Sequence, residues 1–236
     1  NMPRAFLDIP GIKQLDALCV EVPHTAWDVP AVSEWFSLLG VVPDDAAVAA
    51  DLLGNRSAGY AGLYPHQKEA VEWLLQRPGG LLGDAMGLGK TASAIVAADT
   101  YAGTESRPRV IVGPRLVRNA WKRELYRVGS ITEESQFEAL EGRDSSMPFN
   151  RDAKGYFLHY EVVDAWWSRL SLRRPIVGIA DEAHGIKNPK TKRGRGTALV
   201  LGVCPFRIVL TGTPILNRAS EMWSLIDLAA GARTFG

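Results

Sequence analysis

Short apolar segments alternate with longer segments of mixed polarity along most of this chain. From residue 63 onward the short segments show no regular alternation of apolar and polar residues, which is typical of strands buried on both faces of a parallel sheet. We predict these strands at 79–83, 109–112, 136–140, 156–159, 175–180 and 207–210. Helices are predicted between them at 65–76, 92–98, 116–126, 161–170, 197–203 and 219–229. This order predicts an α/β domain in three layers, with a mostly parallel sheet between two layers of helices.

The first part of the chain lacks this alternation. Residues 1–55 are predicted to form a small α+β appendage, with one strand at 17–22 and helices at 30–39 and 44–53. Residues 55–62 are polar and contain glycine, so a linker is predicted there. The predicted domains are therefore an accessory segment at 1–55 and a main domain at 56–236.

A glycine-rich loop stands between the first strand and the second helix of the main domain. Its residues 84–91 have the sequence DAMGLGKT. Such a loop lets backbone N–H groups surround a polyphosphate at the positive end of a helix. Lys90 would neutralise the β- and γ-phosphates of a nucleotide, and the Thr91 hydroxyl would bind Mg²⁺. Asp84 stands where the strict motif has glycine, so an ordinary glycine-rich turn is the alternative.

A glutamine at the start of the helix at 65–76 adds a second candidate contact to the nucleotide. The side chain of Gln67 could hydrogen-bond both the donor and the acceptor edges of adenine, although a glutamine at a helix start is also commonplace. The residues predicted to bind the nucleotide are Gln67, Met86, Gly87, Leu88, Gly89, Lys90 and Thr91.

Two acids directly follow the predicted strand at 175–180. Asp181 would hold Mg²⁺ through water, and Glu182 would orient or deprotonate the attacking water. His184 would sense the γ-phosphate and pass that state to the neighbouring strand end. A solvated helix cap is the alternative for these residues. The predicted catalytic residues are Lys90, Asp181, Glu182 and His184, and the predicted magnesium ligands are Thr91 and Asp181.

Each candidate segment follows a predicted strand. In parallel sheets the ligand lies beyond the carboxyl ends of the strands, and the loop at 84–91, Pro114, Asp181 and residues 211–214 all fall there. Residues 211–214 are Thr, Gly, Thr and Pro, which are turn formers. Beside a nucleotide site, they could instead form a hydroxyl-bearing switch that links the nucleotide to a bound polymer.

Composition narrows the function classes without choosing among them. The net charge is +1, so affinity for nucleic acid would have to come from local patches. The two cysteines, Cys19 and Cys204, have neither metal-site nor redox spacing, and a reduced cytosolic compartment fits best. No apolar run approaches the ~20 residues of a membrane helix, and no secretion signal opens the chain. We therefore expect a protein that is neither secreted nor membrane-bound, cytoplasmic or, in a eukaryote, nuclear.

The motifs, taken in their order, resemble those of helicase superfamily two and, within it, the Swi/Snf-type DNA translocases. The most specific likeness is residues 211–217 (TGTPILN) followed by Trp223. Residues 181–184 (DEAH) followed by Lys187 and Asn188 are also typical of that family, which usually has an acid at the position of Asp84. The resemblance implies nucleic-acid contact or coupling roles for Pro114, Trp121, Lys187, Asn188, Thr211, Gly212, Thr213 and Asn217.

The resemblance also implies a fold, an activity and partners. It implies the first RecA-like lobe of an ATP-dependent motor that moves along double-stranded DNA and uses ATP and Mg²⁺. In this family a second RecA-like lobe supplies arginines that stabilise the transition state. That lobe is absent from this chain, so we expect weak or no hydrolysis by the chain alone. A strand-separating helicase and a stand-alone nucleotide-binding or interaction module are the alternative functions.

Several positions depart from the family pattern or have two explanations. Ala85, Ser93, Leu116 and Ala120 stand where acidic or other polar residues are usual, which weakens the case for ordinary DNA contacts through residues 115–120. The basic stretch at 187–195 is either a solvated loop or a grip on DNA phosphates. The pair at 166–167, both tryptophan, either packs in the core or stacks on bases.

Overall fold

The structure, a computed structural model, describes residues 13–14, 20–21, 52, 54–186, 188, 190–212 and 219–230. The helices predicted at 30–39 and 44–53 lie outside these residues, apart from residue 52 in the second helix. Within the predicted appendage, strand β1 (Lys13–Gln14) pairs antiparallel with strand β2 (Val20–Glu21). Strand β2 lies inside the strand predicted at 17–22. The division of the chain near residue 55 stays a prediction.

The main domain contains a six-stranded parallel sheet. Its strands lie in the order β3-β8-β7-β4-β6-β5, and every neighbouring pair is parallel. The predicted strands are confirmed, with ends that move by at most two residues. The strands are β3 (Gly79–Leu82), β4 (Arg109–Gly113), β5 (Phe137–Leu140), β6 (Gly155–His159), β7 (Val177–Ala180) and β8 (Phe206–Leu210).

Helices connect the strands, as the sequence predicts, except that residues 141–154 join β5 to β6 without a helix. They are α1 (Pro65–Leu75), α2 (Lys90–Ala102), α3 (Arg118–Arg127), α4 (Val163–Leu172), α5 (Lys192–Gly202) and α6 (Ala219–Ala230). A short 3₁₀ helix at Arg115–Val117 leads into α3. None of the helices in the described part of the chain has the length and apolar character needed to cross a membrane.

The sheet separates two clusters of buried side chains. Residues of α1, α2 and α3 pack in one cluster, and residues of α4, α5 and α6 pack in the other. Strand β4 contributes to both, because successive side chains point to opposite faces: Ile111 packs in the first cluster, and Val110 and Val112 pack in the second. The predicted three-layer α/β architecture is confirmed.

Two segments differ from the predictions. The predicted linker at 55–62 contains a 3₁₀ helix at Ala58–Gly62, and a Cβ on Gly59 would lie 2.7 Å from the Val128 carbonyl oxygen, so this segment packs closely against the domain. The helix predicted at 197–203 begins earlier, at Lys192, because the Thr191 hydroxyl accepts a hydrogen bond from the Gly194 N–H (3.1 Å) and caps it. Much of the basic stretch is therefore helical.

Candidate nucleotide-binding site

The candidate segments lie at one edge of the sheet. Strands β3, β8, β7 and β4 are neighbours in that order, and all four run in the same direction. The glycine-rich loop follows β3, while Thr211, Asp181 and Pro114 follow the other three strands. Four segments that are distant in sequence therefore meet at the carboxyl edge.

Close contacts join these segments in pairs. A Cβ on Gly212 would lie only 2.7 Å from Cγ of Met86, so the turn after β8 touches the glycine-rich loop. A Cβ on Gly113 would lie 3.3 Å from the Cβ of Asp181, so the end of β4 touches the acid after β7. Small residues at these two positions let the segments approach one another.

The glycine-rich loop has the backbone of a phosphate-binding loop. Gly87 and Gly89 have φ of 85° and 74°, a left-handed conformation that glycine adopts without strain. Gly89 is the N-cap of α2, and Lys90 begins the helix. The Lys90 ammonium donates to the carbonyl oxygens of Asp84 (2.7 Å) and Ala85 (2.9 Å). Residues 83–88 are exposed, so the loop lies open to solvent above the helix start.

The side chain of Gln67 supports the glycine-rich loop through hydrogen bonds. Its side-chain oxygen accepts a hydrogen bond from the Tyr64 N–H (3.0 Å), and its amide nitrogen lies 3.2 Å and 3.3 Å from the carbonyl oxygens of Leu88 and Gly89. His66 Nε2 also lies 3.1 Å from the Leu88 carbonyl oxygen. These bonds engage both ends of the Gln67 amide within the protein. The predicted adenine contact of Gln67 stays a prediction, and its described contacts are with the loop.

Asp181 is held at every polar atom. Its carboxylate accepts hydrogen bonds from the Trp121 indole N–H (2.7 Å) and from the Glu182 N–H (2.9 Å). Its N–H donates to the Val112 carbonyl (2.7 Å), and its own carbonyl accepts from the Tyr160 hydroxyl (2.5 Å). Burial raises the pKa of the Asp181 carboxyl, while the hydrogen bond from Trp121 and the positive charge of Lys90 act in the opposite direction.

Glu182 and His184 form the least satisfied part of the site. Glu182 has φ of 48°, which is uncommon for a residue with a side chain. Its Oε2 lies 3.2 Å from Nδ1 of His184, so these two buried atoms contact each other as an ion pair. The contact does not have the geometry of a hydrogen bond, and neither atom forms one with another described residue. Buried polar atoms usually form hydrogen bonds, so both atoms keep capacity to bond to a ligand.

The residues predicted to contact or couple to nucleic acid have different environments. Pro114 is half-buried before the 3₁₀ helix at Arg115–Val117, and Asn188 is exposed. Thr211 is fully buried, and Trp121 is only 1% exposed. The burial of Trp121 does not fit a direct contact with a DNA backbone, whereas its bond to Asp181 gives it a place inside the site. Lys187, Thr213 and Asn217 lie outside the described residues.

Arg115 and Arg118, beside Pro114, are not among the residues predicted from the sequence. The side chain of Arg115 is 70% exposed, and Arg118 lies one turn later at the start of α3. Arg115 lies 3.7 Å from a carboxylate oxygen of Glu141, and Arg118 forms an ion pair and a hydrogen bond with the same carboxylate. Leu116 between them is 94% exposed. A sequence signal for these arginines does exist, because they lie three residues apart directly after the end of a predicted strand.

The structure describes most of the basic stretch at 187–195 and both tryptophans of the pair at 166–167. In the basic stretch, Arg193 forms an ion pair with Glu161 (2.8 Å). Trp166 is only 2% exposed, and its indole N–H donates to the Gly142 carbonyl oxygen (2.9 Å). Trp167 is half-buried and packs against the same cluster. The structure thus favours a core role for Trp166 over base stacking.

The donors at the carboxyl edge suit Mg²⁺. This ion prefers oxygen ligands and is commonly held by one or two carboxylates together with substrate phosphates and water. The Thr91 hydroxyl and the Asp181 carboxylate provide donors of that kind. The part of the chain that the structure describes has no group of three or more His, Cys, Asp and Glu side chains that could hold a metal. The Thr91 and Asp181 oxygens fit a Mg²⁺ ion that arrives with a nucleotide.

A surface cavity of about 540 Å³ lies at the opposite edge of the sheet, with Arg107, Arg174 and Arg207 in its lining. These residues are near the amino ends of β4, β7 and β8. The cavity is therefore remote from Lys90 and Asp181, and it is not the nucleotide site.

The fold and the residues at the carboxyl edge define a RecA-like domain with a phosphate-binding loop. A family model described as the SNF2-related domain matches residues 66–232, and the chain belongs to this family. The matched segment contains all the elements of the parallel sheet.

Relatives with this domain come from distant organisms. The chain is 31% identical to the Arabidopsis thaliana protein CHROMATIN REMODELING 24 over 71% of its length, which is 17% of that protein. It is 32% identical to the putative ATP-dependent helicase/translocase YwqA of Bacillus subtilis over 70% of its length, which is 18% of that protein. The chain thus spans less than a fifth of these relatives.

A solved structure has a similar fold. The Sulfolobus solfataricus SWI2/SNF2 ATPase core, in complex with double-stranded DNA, superposes with a TM-score of 0.54 at 26% identity. The match covers 74% of this chain and 36% of that one.

Proposed function

We propose that this chain is the ATP-binding lobe of an ATP-dependent motor that moves along duplex DNA. It would hydrolyse ATP with Mg²⁺ when paired with a second lobe. The observation that carries the proposal is that the loop with Lys90 and the turn with Asp181 lie at the same edge of the sheet. They follow the parallel strands β3 and β7, which are separated by β8, so one bound triphosphate with its Mg²⁺ could reach both side chains.

Each residue at this edge has a role in the proposal. Lys90 neutralises the β- and γ-phosphates, and the backbone N–H groups at the start of α2 surround them. Thr91 and Asp181 would hold the Mg²⁺ ion, Asp181 through water, and the bound ion would supply positive charge to the phosphates.

Glu182 and His184 act on the attacking water and the γ-phosphate. The Glu182 carboxylate orients the water and accepts its proton as the water oxygen bonds to the γ-phosphorus and the bond to ADP breaks. The nearby His184 responds to the γ-phosphate. The contact between Glu182 Oε2 and His184 Nδ1 supports these roles, because it lacks hydrogen-bond geometry and leaves both atoms able to bond to a bound nucleotide and its water.

Duplex DNA is proposed as the polymer that the motor follows. The structural relative from Sulfolobus solfataricus was solved with double-stranded DNA. In this chain, Arg115 and Arg118 lie at the edge near Pro114 and share one carboxylate, Glu141, so the three side chains together carry a net positive charge. Phosphate contacts of this kind give affinity that does not depend on sequence, which suits a motor.

Nucleotide binding tests the assignment of the site. A fluorescent ATP analogue is titrated into the 236-residue chain with Mg²⁺ present. The Lys90→Ala variant should bind about 10- to 100-fold more weakly, because a charge-assisted hydrogen bond contributes ~1.5–3 kcal/mol.

Lys154→Ala is the matched control, since this exposed lysine precedes β6 at the opposite edge of the sheet. It should bind the analogue as the unchanged chain does. If Lys90→Ala retained full affinity, the phosphates would lie elsewhere and the proposed site would be wrong.

A further inference from the structure

Trp121 donates a buried hydrogen bond to the acid that is proposed to hold Mg²⁺. The indole nitrogen lies 2.7 Å from Oδ2 of Asp181. Tryptophan has one donor and no acceptor, so this bond uses the whole polar capacity of the side chain. The ring itself is 1% exposed and packs in the cluster on the α1–α3 face.

Of the hydrogen bonds that Asp181 makes, the one from Trp121 orients its carboxylate relative to the rest of the site. The bond between Oδ1 and the Glu182 N–H joins adjacent residues, so it moves with the turn that contains them. The bonds at the N–H and carbonyl of Asp181, to Val112 and Tyr160, fix its backbone and not its side chain. Among the described contacts, only the indole ties the carboxylate to a different element.

The element that carries Trp121 begins at the proposed DNA-facing edge. Helix α3 follows Arg115 and Leu116 directly, and Trp121 lies one turn into it. A shift of α3 would therefore move the donor of the Asp181 carboxylate. Groups that orient the ligands of a metal commonly control the affinity of the site for that metal.

We infer that Trp121 is a positioning residue that aims the Asp181 carboxylate at Mg²⁺ and links the placement of α3 to the nucleotide site. This inference rests on the proposed function, because it takes Asp181 as the acid that holds the ion. Tyr160 has the supporting task of holding the backbone of Asp181.

A matched pair of tryptophans provides the test. Trp121 and Trp166 are both almost fully buried, and each donates its indole N–H to one acceptor in the protein. Replacement by phenylalanine removes the donor and keeps an aromatic ring at each position. Trp166 bonds to the Gly142 carbonyl on the other face of the sheet, so Trp166→Phe controls for loss of packing and of a hydrogen bond.

The measured quantity is the gain in affinity for a fluorescent ATP analogue when Mg²⁺ is added to the 236-residue chain. In Trp121→Phe this gain should fall about tenfold, as expected when the group that orients a metal ligand is lost. The affinity without Mg²⁺ should not change. Trp166→Phe should keep the full gain, although thermal unfolding should show that it loses stability comparably.

Tyr160→Phe keeps the inference testable if Trp121→Phe does not fold. It removes the bond to the Asp181 carbonyl and should lower the gain with Mg²⁺ in the same direction by a smaller factor. A full gain in both Trp121→Phe and Tyr160→Phe would overturn the inference, as would an equal loss in Trp166→Phe. If the unchanged chain bound no nucleotide at all, the proposed function itself would fail, and this inference with it.

Discussion

Glu182, a residue of the proposed site, has a backbone conformation that is uncommon for a residue with a side chain. Its φ is 48°, and its buried Oε2 contacts Nδ1 of His184 without the geometry of a hydrogen bond. Strain of this kind persists where the surrounding structure holds it, and it concentrates at functional positions. The sequence pattern identified these residues by type and spacing. It could not show that Trp121 bonds to Asp181, because that contact depends on which strands become neighbours.

Gly89 is the residue at which the loop geometry is most restrictive. Its φ of 74° disfavours any side chain, and a Cβ would lie 2.1 Å from Nε2 of Gln67. Gly89→Ala should lower the free energy of unfolding by more than the ~1–2 kcal/mol of the left-handed conformation alone. It should also weaken binding of an ATP analogue, because Gln67 would have to leave the loop. Chemical denaturation and a nucleotide titration measure the two effects.

Gly87→Ala separates the backbone cost from the contact with Gln67. Gly87 also has a positive φ, of 85°, but a Cβ there would meet no atom within 4 Å. This variant should lose only the backbone contribution of ~1–2 kcal/mol. Equal losses of stability in the two variants would show that the contact between Gly89 and Gln67 is unimportant.

Most elements could be predicted because their patterns are local. The buried strands have continuous apolar character, and α1 begins at a proline that suits the first position of a helix. The polarity and glycines of residues 55–62 predict a linker, yet Gly59 in this segment packs against Val128. That contact joins distant parts of the chain and leaves no local signal. The early start of α5 did have a signal, since Thr191 is a good N-cap residue.

Helices α4 and α5 depend on one glycine for their close approach. A Cβ on Gly196 would lie 2.7 Å from the backbone nitrogen of Asp164 and 2.8 Å from Cγ1 of Val163. Alanine normally favours a helix over glycine by ~1 kcal/mol. Here the helices would have to separate, and overpacking costs ~1–3 kcal/mol. Gly196→Ala should therefore destabilise the domain, measured as a lower midpoint of urea denaturation.

Gly202→Ala is the control within the same helix. No atom lies within 4 Å of a Cβ built on Gly202, so only the change in backbone freedom remains. This variant should be as stable as the unchanged chain or slightly more stable. A destabilised Gly202→Ala, or a stabilised Gly196→Ala, would mean that the packing of α4 on α5 is not what limits position 196.

At the scale of the whole molecule, the sheet order explains why distant motifs act together. Strand β8 lies between β3 and β7, so the turn after β8 is adjacent to both the glycine-rich loop and Asp181. The order of the strands in the sheet differs from their order in the chain, and local sequence patterns cannot reveal it. The same edge is open to solvent along residues 83–88, which leaves room for a second lobe to cover the nucleotide.

The chain alone should bind ATP with Mg²⁺ but hydrolyse it slowly. Among the described residues, Lys90 is the cation that is proposed to contact the phosphates. Motors of this class also receive a catalytic arginine from a second lobe. Such an arginine accelerates phosphoryl transfer by ~10³–10⁵. Steady-state ATPase rates, with and without duplex DNA, should therefore be low for the 236-residue chain and high for a longer protein that contains both lobes.

Glu182→Gln in the longer protein is the control, and it should abolish the rate while leaving nucleotide binding intact. Full DNA-stimulated hydrolysis by the 236-residue chain would show that its own residues complete the site.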